Sequence, residues 1–260
     1  MRVITLNANG IRAAGRRGVF EWVRAQEADV VCLQETRAQE HQLPFDAMGL
    51  PGFFGYFVDS KRRGYSGVAL YCRQEPIEVR RTLGWEDMDS EGRFVQADFG
   101  AVTVSSLYVP SGITGPQRQA FKMDFLERLL AVLAQLRHSG RNHIVCGDFN
   151  IAHKAIDTYS PAYNSHVSGF LPEERAWMDA LFGGVGWVDA FRAINQDAKQ
   201  YTWWSNRPGA WERNLGWRID YQLITPGLIP CVRAAAIYRE QRFSDHAPLV
   251  VDYDFDKENS

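Results

Sequence analysis

Apolar residues along this chain fall into short blocks separated by polar, glycine-bearing turns, and only one long stretch shows helical spacing. Residues 2–6, 29–33, 53–58 and 66–72 form the first set of blocks. Others follow at 77–80, 94–99, 102–109 and 143–146, and a last set at 201–204, 218–224, 232–238 and 249–253. Runs this short, rich in β-branched and aromatic residues, predict strands. The clearest helix is predicted over 116–137, where Phe121, Phe125, Leu129, Leu133 and Leu136 make one stripe. Two shorter helices are predicted, one over 18–26 from Val19, Trp22 and Val23. The other spans 172–182 behind Pro172, whose missing N–H suits a first helical turn. Helices fall between groups of strands, not after every strand. The pattern therefore predicts a two-sheet sandwich with helices outside it, not a fully parallel doubly wound sheet. No linker or repeat breaks the alternation, which predicts one domain over 1–255 and a short tail over 256–260.

Composition changes this picture little. The 260 residues are 45% hydrophobic and 23% charged, ordinary for a globular chain. No apolar run approaches the ~20 residues of a membrane span, and residues 1–6 are too short for a signal peptide, so the expectation is a cytoplasmic protein. Cys32, Cys72, Cys146 and Cys231 lie in strand-like surroundings without metal-type spacing, which predicts buried reduced thiols. A net charge of −2 does not announce a nucleic-acid partner. Basic residues cluster locally, however, with Arg12, Arg16 and Arg17 read as one loop and Lys61, Arg62 and Arg63 as another. An acidic metal site with a basic rim would give the same total.

The informative feature is where ionisable and amide residues occur. Asn7 and Asn9 end the first strand, Glu35 the next and Tyr108 another. Asp148 and Asn150 end a fourth, Asp220 lies within a fifth, and Asp245-His246 precede the last. Each alone is equally a turn or cap residue. Their spacing adds something, because residues i and i+2 of an extended segment share a face, so Asp148 and Asn150 can address one point. Asn7 and Asn9 repeat the arrangement. Acids and amides converging without clustered Cys or His suit a hard, oxygen-loving cation such as Mg²⁺, with Mn²⁺ as the alternative. Phosphodiester hydrolysis would use such a cation together with a base and donors for the phosphate oxygens. His246 fits the base, with Asp220 to orient it.

Seven strings then carry a resemblance: Leu6-Asn7-Ala8-Asn9-Gly10-Ile11-Arg12, Leu33-Gln34-Glu35-Thr36, Gly64-Tyr65-Ser66-Gly67, Tyr108-Val109-Pro110, Gly147-Asp148-Phe149-Asn150, Gly216-Trp217-Arg218-Ile219-Asp220 and Ser244-Asp245-His246-Ala247-Pro248. In order and spread over nearly the whole chain, they resemble the exonuclease III/AP endonuclease branch of the endonuclease–exonuclease–phosphatase superfamily. The resemblance implies a DNase I-like four-layer α/β sandwich, two packed mixed β-sheets flanked by helices, with its site at one end. It implies a Mg²⁺-dependent DNA repair nuclease, acting as a monomer on double-stranded DNA with an abasic site or 3′ lesion. Glu35, Asn7, Asp245, Asp148 and Asn150 would form or adjoin the metal shell. His246, Asp220, Asp148, Asn150, Tyr108 and Asn7 would be catalytic, with Asp148 handling a proton of the nucleophile or leaving group. Trp203, Trp217 and Ile219 match the pocket for a base-less sugar. Tyr65 and Arg207 stand where side chains enter DNA, and Arg12 and Arg37 where phosphates are contacted.

Two departures bear on specificity. Ser111 replaces an Asn or Gln of several relatives, and His166, in a loop without the Lys/Asn-rich character of strong AP endonucleases, has two readings: a side chain that crowds the pocket and favours 3′-end processing, or an exposed loop residue. A rival reading is a non-catalytic regulator of the catabolite repression control type, which shares the scaffold and binds RNA–protein complexes. The complete set of acids and His246 favours an enzyme.

Overall fold

The computed structural model describes residues 1–255, and the tail expected over 256–260 lies outside them. Fourteen strands are formed in chain order: β1 (Arg2–Asn7), β2 (Val30–Gln34), β3 (Phe54–Val58), β4 (Val68–Cys72), β5 (Glu78–Arg80), β6 (Phe94–Asp98) and β7 (Val102–Tyr108). Then come β8 (Asn142–Asp148), β9 (Val188–Asp189), β10 (Trp203–Trp204), β11 (Gly216–Trp217), β12 (Asp220–Ile224), β13 (Val232–Ile237) and β14 (Leu249–Tyr253). One six-stranded sheet has the order β13-β14-β1-β2-β4-β3, the other β5-β6-β7-β8-β12-β9, and β10-β11 form a separate ribbon. Both large sheets are mixed, with β1–β2 and β7–β8 parallel and their other pairs antiparallel.

Strand periodicity explains the layering. In β2, Val30 and Cys32 enter the core between the sheets, while Val31 and Leu33 enter a second core under the N-terminal helices. In β8, Ile144 and Cys146 face the inter-sheet core and Val145 faces a third. That third core lies beneath the helix Pro116–His138, through Phe125, Leu129 and Leu133. Strands buried on both faces read as continuous apolar runs, which is why the blocks show weak alternation. The result is four layers, helix–sheet–sheet–helix. Cys32, Cys72 and Cys146 are buried free thiols, and Cys231 is half-buried.

Buried polar side chains tie the sheets together. Gln34 Nε2 on β2 donates to Ser106 Oγ on β7 at 2.9 Å, and Ser106 Oγ donates back to the Leu33 carbonyl at 3.0 Å. Gln222 Nε2 on β12 donates to the Val3 carbonyl at 2.9 Å. Apolar contact resists sliding weakly, whereas a slipped register here would strand buried amides. Gly147 makes the strand spacing possible, since a Cβ there would lie 2.0 Å from the Leu107 carbonyl oxygen.

The structure departs from the sequence reading in several places. Arg12 and Arg16 lie on a short helix, Ile11–Arg16, with Arg17 capping it, and not in a loop. Its inner face is only Ile11 and Ala14, too brief a signal to see in sequence. The block at 218–224 shortens to β12, so that Asp220 is the first residue of its strand. The helix behind Pro172 is regular over Pro172–Asp179 and continues as a wider π-type turn over Ala180–Val185. No helix among the described residues is long and apolar enough to cross a membrane.

An ion network fixes the segment that leads into β12. Asp157 Oδ1 accepts from Arg218 Nε at 2.9 Å and Arg192 Nη2 at 2.7 Å, and Arg218 Nη1 meets Asp189 Oδ2 at 2.7 Å. Burial would raise the Asp157 carboxyl, but Arg218 and Arg192 together hold it down at about 2, from an ordinary 3.8. A depressed carboxylate stabilises the fold above its unfolded pKa and loses that contribution as pH falls through its folded value. The shift corresponds to about 2 kcal/mol. We expect Asp157→Asn to lose roughly that much at pH 7 and to flatten the fall in stability between pH 4 and pH 2, measured by urea unfolding across that range.

Candidate active site

The strand ends of both sheets meet at one end of the sandwich. Asp220 and Asp148 are register partners on β12 and β8, and Tyr108 on β7 is the partner of Asp148 on its other side. Neighbours across adjacent strands place their side chains on one face, so Tyr108, Asp148 and Asp220 form a row. From the other sheet, β1 ends in Asn7 and β2 runs into Glu35. The turns after β1 and β2 are zipped by Ala8 N to the Gln34 carbonyl and Gly10 N to the Glu35 carbonyl, both at 2.8 Å. Non-glycine residues with positive φ concentrate here: Asn9 (43°), Glu35 (48°), Arg37 (50°), Ser66 (49°) and Asn150 (52°). Such backbone costs energy and persists where the surroundings impose it, a mark of functional sites.

His246 closes the row. Its Nδ1 donates to Asp220 Oδ2 at 2.8 Å, and its Nε2 lies 3.9 Å from Asp148 Oδ2. Burial opposes the charged imidazole, yet Asp220, with Asp148 and Asp245 beyond it, pushes His246 up to about 10. Burial and then the charge of Asp220 push Asp148 up to about 7, against the pull of His246 and Asn7. The surrounding acids thus favour the charged imidazole, and burial beside Asp220 disfavours the charged form of Asp148. The expectation of His246 as the base had counted Asp220 alone beside it, whereas Asp148 and Asp245 also bear on the ring.

The amides serve the acids. Asn7 Nδ2 donates to both Asp148 Oδ2 and Glu35 Oε1 at 2.8 Å, while Asn7 Oδ1 accepts from Asn9 N at 2.9 Å. Asn150 donates its backbone N–H to Asp148 Oδ1 at 2.8 Å and its Nδ2 to the Val109 carbonyl at 2.9 Å. Both amides thus present donors to neighbouring groups, not oxygens to a cation. Asp245 accepts from Asn9 Nδ2 at 2.7 Å and Trp203 Nε1 at 3.1 Å. Burial would raise Asp245, but His246, Asn9 and Trp203 hold it below the ordinary range. Arg37 pairs with Glu35.

Asp148, Asp220 and His246 bring one donor atom each within 4.8 Å of one another, a grouping that could hold a metal ion. Asp220 Oδ1 is buried without a hydrogen-bond partner among the described residues, and the remaining donors nearby are oxygens, with no thiol. A hard divalent cation fits the carboxylate oxygens of this cluster and not the charged imidazole. Asp220 and His246 had been read as catalytic groups and not as part of a metal grouping.

Beside the acids opens a cavity of about 480 Å³. Glu35, Tyr108, Asp148, Asn150, Asp245 and His246 line its polar side. Trp203, Trp217 and Ile219 line the apolar side, where Trp203 and Trp217 are partners across β10 and β11 with rings 6.3 Å apart. Ser111, Arg37 and Arg207 also line it. Asn7 and Asp220 lie behind these groups, Arg12 is exposed on its helix, and Tyr65 is half-buried outside the cavity. His166, read either as crowding the pocket or as an exposed loop residue, is exposed and does not line it. That place is taken by Val167 and Tyr163. Residues missed in sequence include Ile113, Tyr159 and Tyr163, whereas Asn9, singled out by its i, i+2 spacing from Asn7, lines the cavity. Trp204 is fully buried against Trp211 and belongs to the core.

The chain matches the model of the endonuclease/exonuclease/phosphatase family over residues 4–246. It belongs to that family. Among curated relatives it is 36% identical to the exodeoxyribonuclease of Bacillus subtilis (strain 168), covering 96% of this chain and 98% of that protein. It is 34% identical to the DNA repair nuclease APEX1 of Danio rerio, covering 96% and 81% respectively. An AP endonuclease structure from Archaeoglobus fulgidus superposes with a TM-score of 0.89 at 30% identity, covering 98% of this chain and all of that one. The family brings with it hydrolytic chemistry and the sandwich of two mixed sheets described above.

One cavity wall depends on a buried ion pair. Lys122 Nζ donates to Glu174 Oε1 at 2.6 Å and to the Asn150 carbonyl at 2.8 Å, both side chains being fully buried. Glu174 Oε2 in turn accepts from the N–H groups of Gly169 and Leu171. Lys122→Met leaves a carboxylate stranded, and we expect a loss of about 3–5 kcal/mol in urea unfolding. The double variant Lys122→Met/Glu174→Gln should recover part of it.

Proposed function

We infer that this protein is a divalent-metal-dependent DNA repair nuclease that hydrolyses phosphodiester bonds at abasic sites and 3′ ends. We further assign it duplex DNA as substrate, Mg²⁺ as the working cation with Mn²⁺ as a substitute, a monomeric state and a cytoplasmic location. The observation that carries the reading is the row Tyr108–Asp148–Asp220 with His246, opening on a cavity walled by Trp203 and Trp217. The names of the relatives point the same way.

Each group has a task in this scheme. Asp148, held by Asn7 and Asn150, orients the attacking water and takes its proton as the water oxygen bonds to phosphorus. The phosphorus–oxygen bond to the deoxyribose then breaks, and the departing oxygen takes a proton from solvent water to leave as a hydroxyl. His246, kept charged by Asp220, donates to a non-bridging phosphate oxygen, where negative charge grows. The Tyr108 hydroxyl is the other donor at that phosphate, and Asn150 acts through Asp148, to which its backbone N–H donates. Glu35, with the neighbouring carboxylates Asp148 and Asp245, would hold the divalent cation, which offsets charge on the phosphate when bound. Trp203, Trp217 and Ile219 offer a flat apolar surface to a sugar without its base, and Arg37 and Arg207 supply positive charge at the rim. No observation favours the non-catalytic regulator, whose function would not require buried acids gathered around an imidazolium.

The test is a duplex oligonucleotide bearing one tetrahydrofuran abasic analogue, with a second duplex carrying a 3′-phosphate. Cleavage or phosphate release is expected in Mg²⁺ and not in EDTA. His246→Ala and Asp148→Asn are each expected to lower turnover by ~10³ or more while duplex affinity stays within a few-fold. No processing of either duplex by the wild-type protein in Mg²⁺ would sink the assignment.

A further inference from the structure

Arg93 is a charged side chain that is 2% exposed and lines neither the acids nor the cavity. A buried guanidinium is tolerated only where its donors are used, and here they converge on two tyrosines. Nη1 donates to the Tyr108 carbonyl at 2.9 Å, Nη2 to Tyr65 Oη at 3.1 Å, and Nε to Glu91 Oε2 at 2.7 Å. The Tyr108 N–H donates to the Arg93 carbonyl at 2.9 Å, and the guanidinium stands 4.7 Å from the centre of the Tyr108 ring. Tyr108 is thus gripped at both peptide groups and on its ring face.

Arg118 completes the cluster from the first turn of the helix Pro116–His138. It forks onto Glu91, Nη1 to Oε1 at 2.9 Å and Nη2 to Oε2 at 2.6 Å, and donates to Tyr65 Oη at 2.6 Å. Burial would raise Glu91, but Arg118 and Arg93 hold it below the ordinary range. The Tyr65 oxygen therefore accepts from two cationic donors, which occupies both lone pairs. Its own hydrogen is left as a donor, and the phenol tip is tethered inward.

The Tyr65 loop and the Glu91–Arg93 turn also dock as one piece. A Cβ on Gly92 would lie 2.6–2.8 Å from the backbone of Asp59 and Val58, and Lys61 N donates to the Ser90 carbonyl at 2.9 Å. Lys61, Arg62 and Arg63 are exposed on the same loop, with Arg62 5.1 Å over the Tyr65 ring. A polyanionic backbone lying on this loop would press on a unit continuous with Tyr108.

We propose that Arg93, with Glu91 and Arg118, is a positioning unit that fixes Tyr65 and Tyr108 in one relation, so that duplex contact at the Tyr65 loop sets Tyr108 at the scissile phosphate. The proposal rests on Tyr108 serving as a phosphate donor. Its test uses the whole protein and the abasic-analogue duplex. Single-turnover rates at saturating enzyme are compared for wild type, Tyr65→Phe, Arg118→Gln and the double variant, alongside duplex affinity in EDTA. Tyr65→Phe keeps the ring and removes the shared acceptor, so a rate about tenfold lower is expected, with affinity within threefold. Arg118→Gln should add less than twofold to that loss, because both changes break one unit. Arg93→Lys, which keeps the charge and loses the fork, should match Tyr65→Phe; if it does not fold, the other variants decide. Unchanged rates, a change in affinity alone, or losses that multiply would each overturn the proposal. A wild-type protein that cleaves nothing would speak against the nuclease assignment instead.

Discussion

Two carboxylates facing each other across adjacent strands, both out of water, set the terms for this molecule. Asp148 and Asp220 are register partners and essentially unexposed. Like charges so placed cannot both ionise without positive charge beside them. His246, bonded to Asp220 and 3.9 Å from Asp148, is one such charge, and a divalent cation would be the other. The arrangement is unstable as a piece of protein and useful as a site, because phosphate hydrolysis needs a proton acceptor and a cationic surface side by side.

Holding that pair in place requires a rigid surrounding. Register is set by Gln34, Ser106 and Gln222 across the sheet interface, where a slip would leave amides unpaired. Glycine at 147 lets β7 and β8 approach next to Asp148. Around the rim, three buried ion clusters anchor separate walls: Lys122–Glu174 under Asn150, Asp157–Arg218 before β12, and Arg93–Glu91–Arg118 behind Tyr108. The acids of the site are withdrawn from the surface in this way, while arginines such as Arg12, Arg62 and Arg63 are exposed.

Much of the fold was legible because strand and helix periods leave local marks. The blocks of short apolar runs became strands, and the stripe from Phe121 to Leu136 became the long helix, since burying one face is a local demand. Short helices such as Ile11–Arg16 escaped notice, as two inward residues do not make a period. Among site residues, those at strand ends stood out as polar groups where apolar runs stop. Arg93 did not, because a single arginine beside a strand is usually solvent-facing; its burial follows from partners at positions 65, 91 and 108.

By itself the chain determined which elements form, that acids and amides collect at strand ends, and which family the strings resemble. Those depend on residue order along a few turns or strands. The tertiary structure alone decided that Asp220 lies opposite Asp148, that His246 bonds to Asp220 with Asp148 nearby, that Asn7 and Asn150 serve the acids, and that Val167 and Tyr163, not His166, wall the cavity. The reason is electrostatic: protonation and hydrogen-bond roles depend on distances of a few ångströms between groups far apart in the chain, 141 residues for Asn7 and Asp148 and 236 for Asn9 and Asp245.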